Sequence, residues 1–439
     1  MSVMRRIQNV ADVARWRLCS GCGACVPACP EHVIHLVDIW DRGIRPVIDS
    51  ANCSECGECI KVCPGIAISH EPFNGQTIPE LRLSWGPVLE VWEGYAADPE
   101  ICFRASSGGI ATALSLFCVT EMRMSGVLHT GVDAENPLVN IPVFSRNREQ
   151  LMSQTGSRYS PAAPCSEFGI LEAADSACVF VGKPCDVVAL RKWQLVNTVL
   201  ASKVGLAISI FCAGTPSSQG TKVLLDALGV NPDDVAELRY RGCGWPGMAT
   251  VKLKGTDGEQ REMSYEQSWG GILSRHVTLR CRLCPDSTGE FADISCGDPW
   301  YRKIEPNEPG QSLVLVRTEK GKEILKEAMR AGYVKLRRGD SYTVSASQPS
   351  LLKKRRQLWG RLLAMRMMRI PTPHFGGFSL FANWWCLSVS DKIRSVLGTL
   401  RRIILRKWTK PVRPSQKKFK MNKSQISIEK LVNSNCGEG

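Results

Sequence analysis

The stretch that decides the N-terminal fold reads Cys19-Ser-Gly-Cys22-Gly-Ala-Cys25-Val-Pro-Ala-Cys29-Pro30, and it recurs 34 residues later as Cys53-Ser-Glu-Cys56-Gly-Glu-Cys59-Ile-Lys-Val-Cys63-Pro64. Three thiolates on one tight loop can hold three corners of an iron–sulfur cube, and the fourth cysteine reaches the second cluster of a pair. Zinc, which usually binds through separated cysteine pairs, and disulfides are the alternatives. Two complete copies of the run favour two 4Fe-4S clusters.

Residues 10–72 resemble the two-cluster ferredoxins of bacteria, whose domains pass single electrons. In that pattern each cluster takes three cysteines from one run and the last cysteine from the other. Cluster I is then expected on Cys19, Cys22, Cys25 and Cys63, and cluster II on Cys53, Cys56, Cys59 and Cys29. We therefore predict a ferredoxin-like module over residues 1–72.

The composition indicates a metal-binding or redox protein that is not exported. The chain has 439 residues, 44% of them hydrophobic, which is enough for a sizeable core without disulfides. It nevertheless carries 20 cysteines, and its N-terminus lacks the apolar segment of a secretory signal. Because no stretch reaches about 18 uncharged apolar residues, we expect no transmembrane helix and a cytoplasmic protein.

Strand and helix patterns alternate through the middle of the chain, which predicts an α/β core. Strands are expected at 88–95, 126–130, 177–181, 204–211, 249–253 and 312–316, and helices at 110–119 and 219–228. The last two strands either extend the sheet or form an antiparallel flap. Three short motifs stand beside these elements: Ser106-Ser-Gly-Gly109, Thr155-Gly-Ser-Arg-Tyr159 and Gly182-Lys-Pro-Cys185. Ligand loops occupy such positions, although a helix cap or a turn explains each motif taken alone.

These motifs are followed by Phe211-Cys212, Arg241-Gly-Cys-Gly-Trp-Pro-Gly247, and Cys281-Arg-Leu-Cys284 with Gly297-Asp298 after it. Their order resembles the coenzyme F-420 (F420) hydrogenase/dehydrogenase beta-subunit family across residues 85–345. The resemblance implies an α/β flavin-binding domain over residues 73–345 that carries FAD and a third 4Fe-4S cluster. It implies Cys185, Cys212, Cys281 and Cys284 as the ligands of that cluster.

The same resemblance implies the residues of the flavin site. Ser107, Gly108 and Gly109 would face the FAD phosphates, and Thr155, Ser157, Arg158 and Lys183 would line the flavin or deazaflavin pocket. Cys243 and Cys296 fall inside motifs where no ligand is expected, so we predict that both are small buried thiols. Asp186, Asp298 and Tyr159 remain open as candidates for a catalytic acid.

The resemblance implies an iron–sulfur flavoprotein oxidoreductase that passes electrons between reduced F420, or another hydride donor, and 4Fe-4S clusters or ferredoxin. A flavin takes two electrons as hydride and releases them singly, whereas clusters carry one at a time. One alternative is a ferredoxin-dependent FAD reductase of a tetrapyrrole or glycan-pathway intermediate. The other is a non-catalytic electron-transfer subunit that works with a redox partner.

The C-terminal region is strongly basic, since residues 351–439 hold 20 Lys/Arg against 3 Asp/Glu. We predict a basic amphipathic helical region over 346–413, with Ile393, Leu397 and Ile404 at helical spacing, and a disordered tail over 414–439. Such a helix can lie on the anionic inner face of a membrane. Packing against the catalytic domain or an acidic redox partner is equally open, and no nucleic-acid module accompanies the charge.

Overall fold

The structure is a computed structural model that describes residues 7–71, 75–255, 258–302, 305 and 308–412. Its strands are β1 Ile34–Ile39, β2 Gly43–Ile48, β3 Ala67–Ser69, β4 Glu90–Ala96, β5 Val127–Val132, β6 Asn140–Ser145, β7 Cys178–Gly182, β8 Val204–Ile210, β9 Val235–Arg239, β10 Ala249–Leu253, β11 Gln260–Met263, β12 Ile294–Gly297, β13 Ser312–Val316, β14 Val334–Arg338 and β15 His374–Gly376. Its α-helices are α1 Val10–Arg15, α2 Glu58–Lys61, α3 Pro79–Trp85, α4 Pro99–Arg104, α5 Ile110–Thr120, α6 Arg148–Ser153, α7 Phe168–Glu172, α8 Pro184–Gln194, α9 Thr198–Lys203, α10 Ser218–Ala227, α11 Leu279–Arg282, α12 Glu319–Arg330, α13 Ser341–Ser347, α14 Pro349–Arg356, α15 Leu358–Met367, α16 Leu380–Trp385 and α17 Val389–Leu405.

Eight strands form the central sheet in the order β14-β4-β13-β12-β8-β7-β5-β6. The inner strands β12, β8, β7 and β5 are parallel, and the strands on either side of them are antiparallel to their neighbours. Helices α5 and α12 cover one face, while α7 and α8 cover the other. Burial on both faces explains why the inner strands are nearly continuous runs of apolar residues.

The structure confirms the predicted α/β core and its principal elements. Strands β4, β5, β7, β8 and β13 and helices α5 and α10 lie at the predicted positions within a few residues. The two late strands take different places: β13 extends the central sheet, whereas β10 pairs with β9 and β11 in a separate antiparallel sheet.

The N-terminal module is built from the β1–β2 hairpin, α1 and α2. Asn9 caps α1 because its side chain accepts hydrogen bonds from the backbone N–H groups of Ala11 and Asp12. Gly57 begins α2 at φ +79°, a left-handed conformation that favours glycine. These short elements hold the two cysteine runs on closely packed loops.

The basic C-terminal region packs against the N-terminal module as a layer of helices. Leu358, Leu362 and Ile403 share one hydrophobic core with Val10 and Val13. Strand β15 also pairs in parallel with β3. One face of the predicted amphipathic helix α17 is therefore buried inside the protein. Residues 414–439 lie outside the described part of the chain.

Within the described ranges, no helix is both long enough and apolar enough to span a bilayer.

Candidate functional site

The structure gathers the eight N-terminal cysteines into two neighbouring groups. The thiol of Cys25 lies in the electrostatic field of Cys22, Cys19 and Cys63, and its pKa is raised well above the usual value by burial and by these neighbours. Cys59 in turn lies beside Cys56, Cys29 and Cys53, and burial is the main cause of its raised pKa. The structure thus brings together the residues expected to hold cluster I and cluster II.

Backbone N–H groups point at the sulfurs of cluster I. Gly21 N–H donates to Cys19 Sγ at 3.3 Å, and Gly65 N–H donates to Cys63 Sγ at 3.3 Å. Hydrogen bonds to cluster sulfurs help to set the reduction potential. A β-carbon on Gly65 would lie 2.8 Å from the Leu18 carbonyl oxygen, so only glycine fits this loop without a shift.

A third group of thiols forms where α8, the end of β8 and α11 meet. Cys185 lies beside Cys212 and Cys284, and Cys212 lies beside Cys281. Burial and the Cys281 thiolate raise the pKa of Cys212 to about 12, although Lys354 opposes them. Thr215 N–H donates to Cys281 Sγ at 3.3 Å. The four predicted ligands of the third cluster therefore converge, and we call them the third thiol group.

Across the described chain, no three His, Cys, Asp or Glu side chains form a site for a single metal ion. A 4Fe-4S cube places its thiolates at four corners around a larger core.

A cavity of about 300 Å³ opens at the carboxyl ends of the parallel strands. Thr130, Val181, Ile210 and Gly297 line it at the ends of β5, β7, β8 and β12. Ligands of α/β sheets bind at this edge. Cys212 of the third thiol group is part of the wall, so the cavity and that group adjoin.

The first turn of α5 forms another part of the cavity wall. Gly109 starts this helix at φ +74°, and no side chain caps it. The N–H groups of an uncapped first turn bind phosphate well. Gly109 and Ile110 both line the cavity, so this helix start offers it a candidate site for a phosphate group.

Aromatic rings and a buried ion pair form a further part of the cavity wall. The rings of Tyr265 and Trp300 are nearly parallel, with centroids 5.4 Å apart, and the Arg241 guanidinium lies 4.8 Å from the Tyr265 ring. Arg241 donates to both carboxylate oxygens of Asp298 at 2.8 and 2.6 Å, and Trp245 Nε1 donates to the same carboxylate at 2.9 Å. Burial alone would lower the pKa of Arg241, but Asp298 raises it and keeps the group charged.

Most of the predicted flavin-site residues line this cavity: Ser107, Gly109, Thr155, Ser157, Arg158 and Lys183. Gly108 is buried behind it, where its N–H donates to Ser312 Oγ at 2.9 Å instead of facing a ligand. Arg158 uses its guanidinium within the fold, since it donates to Asn140 Oδ1 at 2.9 Å and to two backbone carbonyls. Lys183 pairs with Asp186 at 2.7 Å.

The three candidates for a catalytic acid differ in their surroundings. Asp186 and Asp298 are each paired with a buried cation, which fits a positioning role. Tyr159 lines the cavity and lies 4.8 Å from the Trp269 ring, measured between centroids. Of the three, Tyr159 alone has no ion-pairing role in the cavity wall.

Three features of the site were missed from the sequence. His129 lines the cavity, and burial lowers its pKa to about 4, so the ring is neutral. Cys165 lies beside cluster I, with its N–H donating to the Cys22 carbonyl at 3.0 Å. The aromatic wall joins residues from separate segments, so no local pattern could have revealed it.

The expectation for the two extra thiols is half right. Cys296 is buried, and burial raises its pKa to about 12. Cys243 is exposed, because it sits at φ +55° in a glycine-rich loop that turns it outward.

Three family models match the chain. Residues 18–66 match the 4Fe-4S dicluster domain, residues 91–168 match the N-terminal part of the coenzyme F420 hydrogenase/dehydrogenase beta subunit, and residues 175–341 match its C-terminal part. The chain belongs to this beta-subunit family. Its third thiol group and cavity both lie within the family-matched residues, whereas helices α14–α17 lie beyond them.

Two characterised relatives illustrate the family. The coenzyme F420 hydrogenase subunit beta of Methanococcus voltae is 26% identical over 293 residues, covering 64% of this chain and 95% of that protein. The F420-dependent formate dehydrogenase subunit beta of Methanocaldococcus jannaschii is 28% identical over 246 residues, covering 55% of this chain and 60% of that protein.

A solved structure shares the fold. A chain of the F420-reducing [NiFe] hydrogenase complex from Methanosarcina barkeri, studied as a xenon derivative, superposes with a TM-score of 0.51. The two chains are 21% identical, and the match covers 65% of this chain and 95% of that one.

Proposed function

We propose that this family member is an oxidoreductase that passes electrons between reduced F420 and 4Fe-4S clusters through FAD bound in the cavity. The observation that carries the proposal is Cys212, which belongs to the third thiol group and also lines the cavity. A two-electron carrier in the cavity would therefore adjoin a one-electron carrier.

The residues of the cavity suit a flavin nucleotide. The uncapped start of α5 offers N–H donors to phosphate, and the Tyr265–Trp300 pair offers a flat surface for a ring. Arg241, held by Asp298, adds a fixed cation near any developing negative charge. When bound, FAD supplies hydride exchange on one side and single-electron exchange on the other.

The thiol groups form a chain of neighbours away from the cavity. Cys165 connects the third thiol group with cluster I: its Sγ donates to the Asp186 carbonyl at 3.6 Å and its N–H to the Cys22 carbonyl. Cys25 of cluster I lies in turn near Cys59 of cluster II. This order supports an electron route from the cavity through the third cluster and cluster I to cluster II, where ferredoxin or a redox partner subunit would exchange electrons.

An anaerobic titration of the purified holoprotein with reduced F420, followed by visible absorbance, tests this function. We expect the flavin and iron–sulfur bands to bleach together. Cys212→Ala should keep the flavin bleaching and lose most cluster bleaching, because the first cluster on the route is damaged. The matched control is Cys118→Ala, which changes a thiol buried in the core under the sheet.

Two other results of the titration would contradict this proposal, and each would favour a different function. Bleaching by reduced ferredoxin alone would indicate a ferredoxin-dependent reductase of an organic substrate. F420 could also reduce the cofactors while the isolated chain turns over no small-molecule acceptor. If turnover then requires a co-purifying subunit, the chain is a non-catalytic electron-transfer subunit.

We also propose that the outer face of α16–α17 contacts an anionic membrane. Helix α17 buries Ser395, Thr399 and Ile403 against the protein, while Val389, Ile393, Leu397 and Ile404 stay more than half exposed on its outer side. Trp385, at the end of α16, is 64% exposed and adjoins the start of this stripe.

The charge beside the stripe favours lipid over a partner subunit as the occupant. Residues 380–412 hold seven Lys/Arg and one acidic residue, Asp391, which pairs with Arg394 at 3.3 Å and Lys353 at 3.6 Å. An exposed aliphatic stripe with cations alongside and a tryptophan at its edge is typical of an interfacial helix. The surface also lies outside residues 91–341, which match the family models.

Sedimentation with lipid vesicles tests the contact. We expect binding to phosphatidylglycerol-containing vesicles that weakens with salt, and at least tenfold weaker binding by the double variant Ile393→Glu/Leu397→Glu. The matched control, Leu195→Glu/Val199→Glu, places the same charges on exposed apolar positions of another surface. Equal binding by both double variants, or co-purification of a protein subunit that the α17 variant loses, would overturn the membrane assignment.

A further inference from the structure

Arg280 is a buried cation without a carboxylate partner. It is 2% exposed, and none of the ion pairs in the described ranges includes it. Its guanidinium donates to the Pro64 carbonyl at 2.9 Å and to the Leu283 carbonyl at 3.3 Å, and its Nε has no hydrogen-bond partner there. The Phe375 ring lies 5.4 Å away.

The position of Arg280 connects two of the thiol groups. Pro64 follows Cys63 of cluster I, and Leu283 precedes Cys284 of the third thiol group. Arg280 itself directly precedes Cys281, so its guanidinium contacts the chain segments that carry Cys63 and Cys284. The guanidinium therefore acts on cluster I and on the third thiol group at once.

A buried charge of this kind needs a counter-ion. Removing a cation from water is costly unless an opposite charge and hydrogen bonds compensate it. Carbonyl dipoles supply part of the compensation here. Four thiolates outweigh the positive charge of a 4Fe-4S core, so each assembled cluster is a net anion and supplies the rest.

We propose that Arg280 is the shared counter-ion of cluster I and the third cluster and raises the reduction potential of both. A nearby cation favours the more negative, reduced state of each cluster. Because one charge acts on both clusters, their reduction potentials rise together. The potentials of these two neighbouring clusters on the route therefore stay close to each other. The inference rests on the proposed clusters, and Arg280 is a positioning residue for electron transfer.

Redox titration of the holoprotein, monitored by electron paramagnetic resonance, tests the role of Arg280. We expect Arg280→Gln to lower the equilibrium constant for reducing both clusters about tenfold, which is about 59 mV for a one-electron step. Cluster II is the internal reference and should not change. Arg45→Gln is the matched control, because Arg45 is also buried and its Nη1 lies 3.1 Å from the position that a β-carbon on Gly21 would take, in the loop between Cys19 and Cys22. It should shift cluster I alone.

Each outcome of this titration decides the inference. Unchanged potentials in Arg280→Gln, or a shift confined to one cluster, would overturn it. Arg280→Lys keeps the charge and should keep both potentials near wild type, so a loss there as large as in the glutamine variant would also overturn it. Iron content and spin counts of the wild type report separately on the clusters themselves, so a failure of the proposed function is recognised independently.

Discussion

The buried pair Glu290–Arg355 allows a sharp prediction about how the C-terminal helices are attached. Arg355 in α14 contacts Glu290 directly, and both side chains are at most 5% exposed. Arg355 also donates to the carbonyls of Pro285 at 3.3 Å and Phe378 at 3.2 Å. His70 Nε2 donates to a Glu290 carboxylate oxygen at 2.8 Å. The pair thus joins α14 and the segment before α16 to the loop that carries Cys284.

The magnitude follows from the charges around Glu290. Burial alone would raise the pKa of Glu290, but Arg355, His70 and the nearby Arg317 outweigh burial and lower the pKa from 4.5 to about 2. That change corresponds to about 3 kcal/mol. Loss of one partner of a buried pair costs about 3–5 kcal/mol, which agrees. We therefore expect Arg355→Met to destabilise the attachment of the C-terminal helices by about 3 kcal/mol.

Native-state proteolysis of the holoprotein measures this attachment. When opening is fast relative to cleavage, the cleavage rate follows the population of the open form, so about 3 kcal/mol means an increase on the order of a hundredfold. Arg366→Met, an exposed position on α15, is the matched control and should change the rate little. The double variant Arg355→Met/Glu290→Met should recover much of the loss. A single variant cleaved as slowly as wild type would refute the reasoning.

Three other predictions follow from the same geometry. Cys281→Ala should remove about four of roughly twelve iron atoms, as measured by iron analysis; full iron content would exclude Cys281 as a ligand. The stabilisation from Glu290, whose pKa is lowered in the fold, is present above about pH 5 and is lost as the pH falls toward 2, so cleavage of the C-terminal helices should accelerate over that range; a flat profile would contradict the assigned charge. Gly108→Ala should lower the unfolding midpoint, since its β-carbon would lie 2.5 Å from the Gly94 carbonyl oxygen; an unchanged midpoint would show that the loop shifts freely.

Features with a local signal could be predicted from the sequence. The spacing of the two cysteine runs favoured 4Fe-4S clusters over zinc or disulfides. Lys183 and Cys212 each follow an apolar strand, which places both residues at one edge of a parallel sheet. Gly108 and Gly109 looked alike as sequence, but only Gly109 reaches the cavity. The difference comes from Ser312 on β13, about 200 residues away, which takes the Gly108 N–H.

Features that depend on distant partners could not be predicted. Arg158 looked like a ligand-binding cation, but acceptors on β6 and β9 and before β6 occupy its guanidinium. Arg280 stands next to a cysteine motif, and nothing around it in the sequence indicates contact with Pro64. Such contacts are set by the packing of whole modules, which a periodic pattern does not encode.

The shared core of the first and last described segments has a consequence for how the protein is made. Residues near Val10 and Val13 are covered by α15 and Ile403, which emerge from the ribosome roughly 350 to 390 residues later. At about 5–20 residues per second, the thiols of the first module wait roughly 20 to 80 seconds for that cover. During this interval Cys25, Cys29, Cys59 and Cys63 lack the part of their core that the C-terminal helices supply. The C-terminal helices therefore complete the packing around these four thiols only at the end of synthesis.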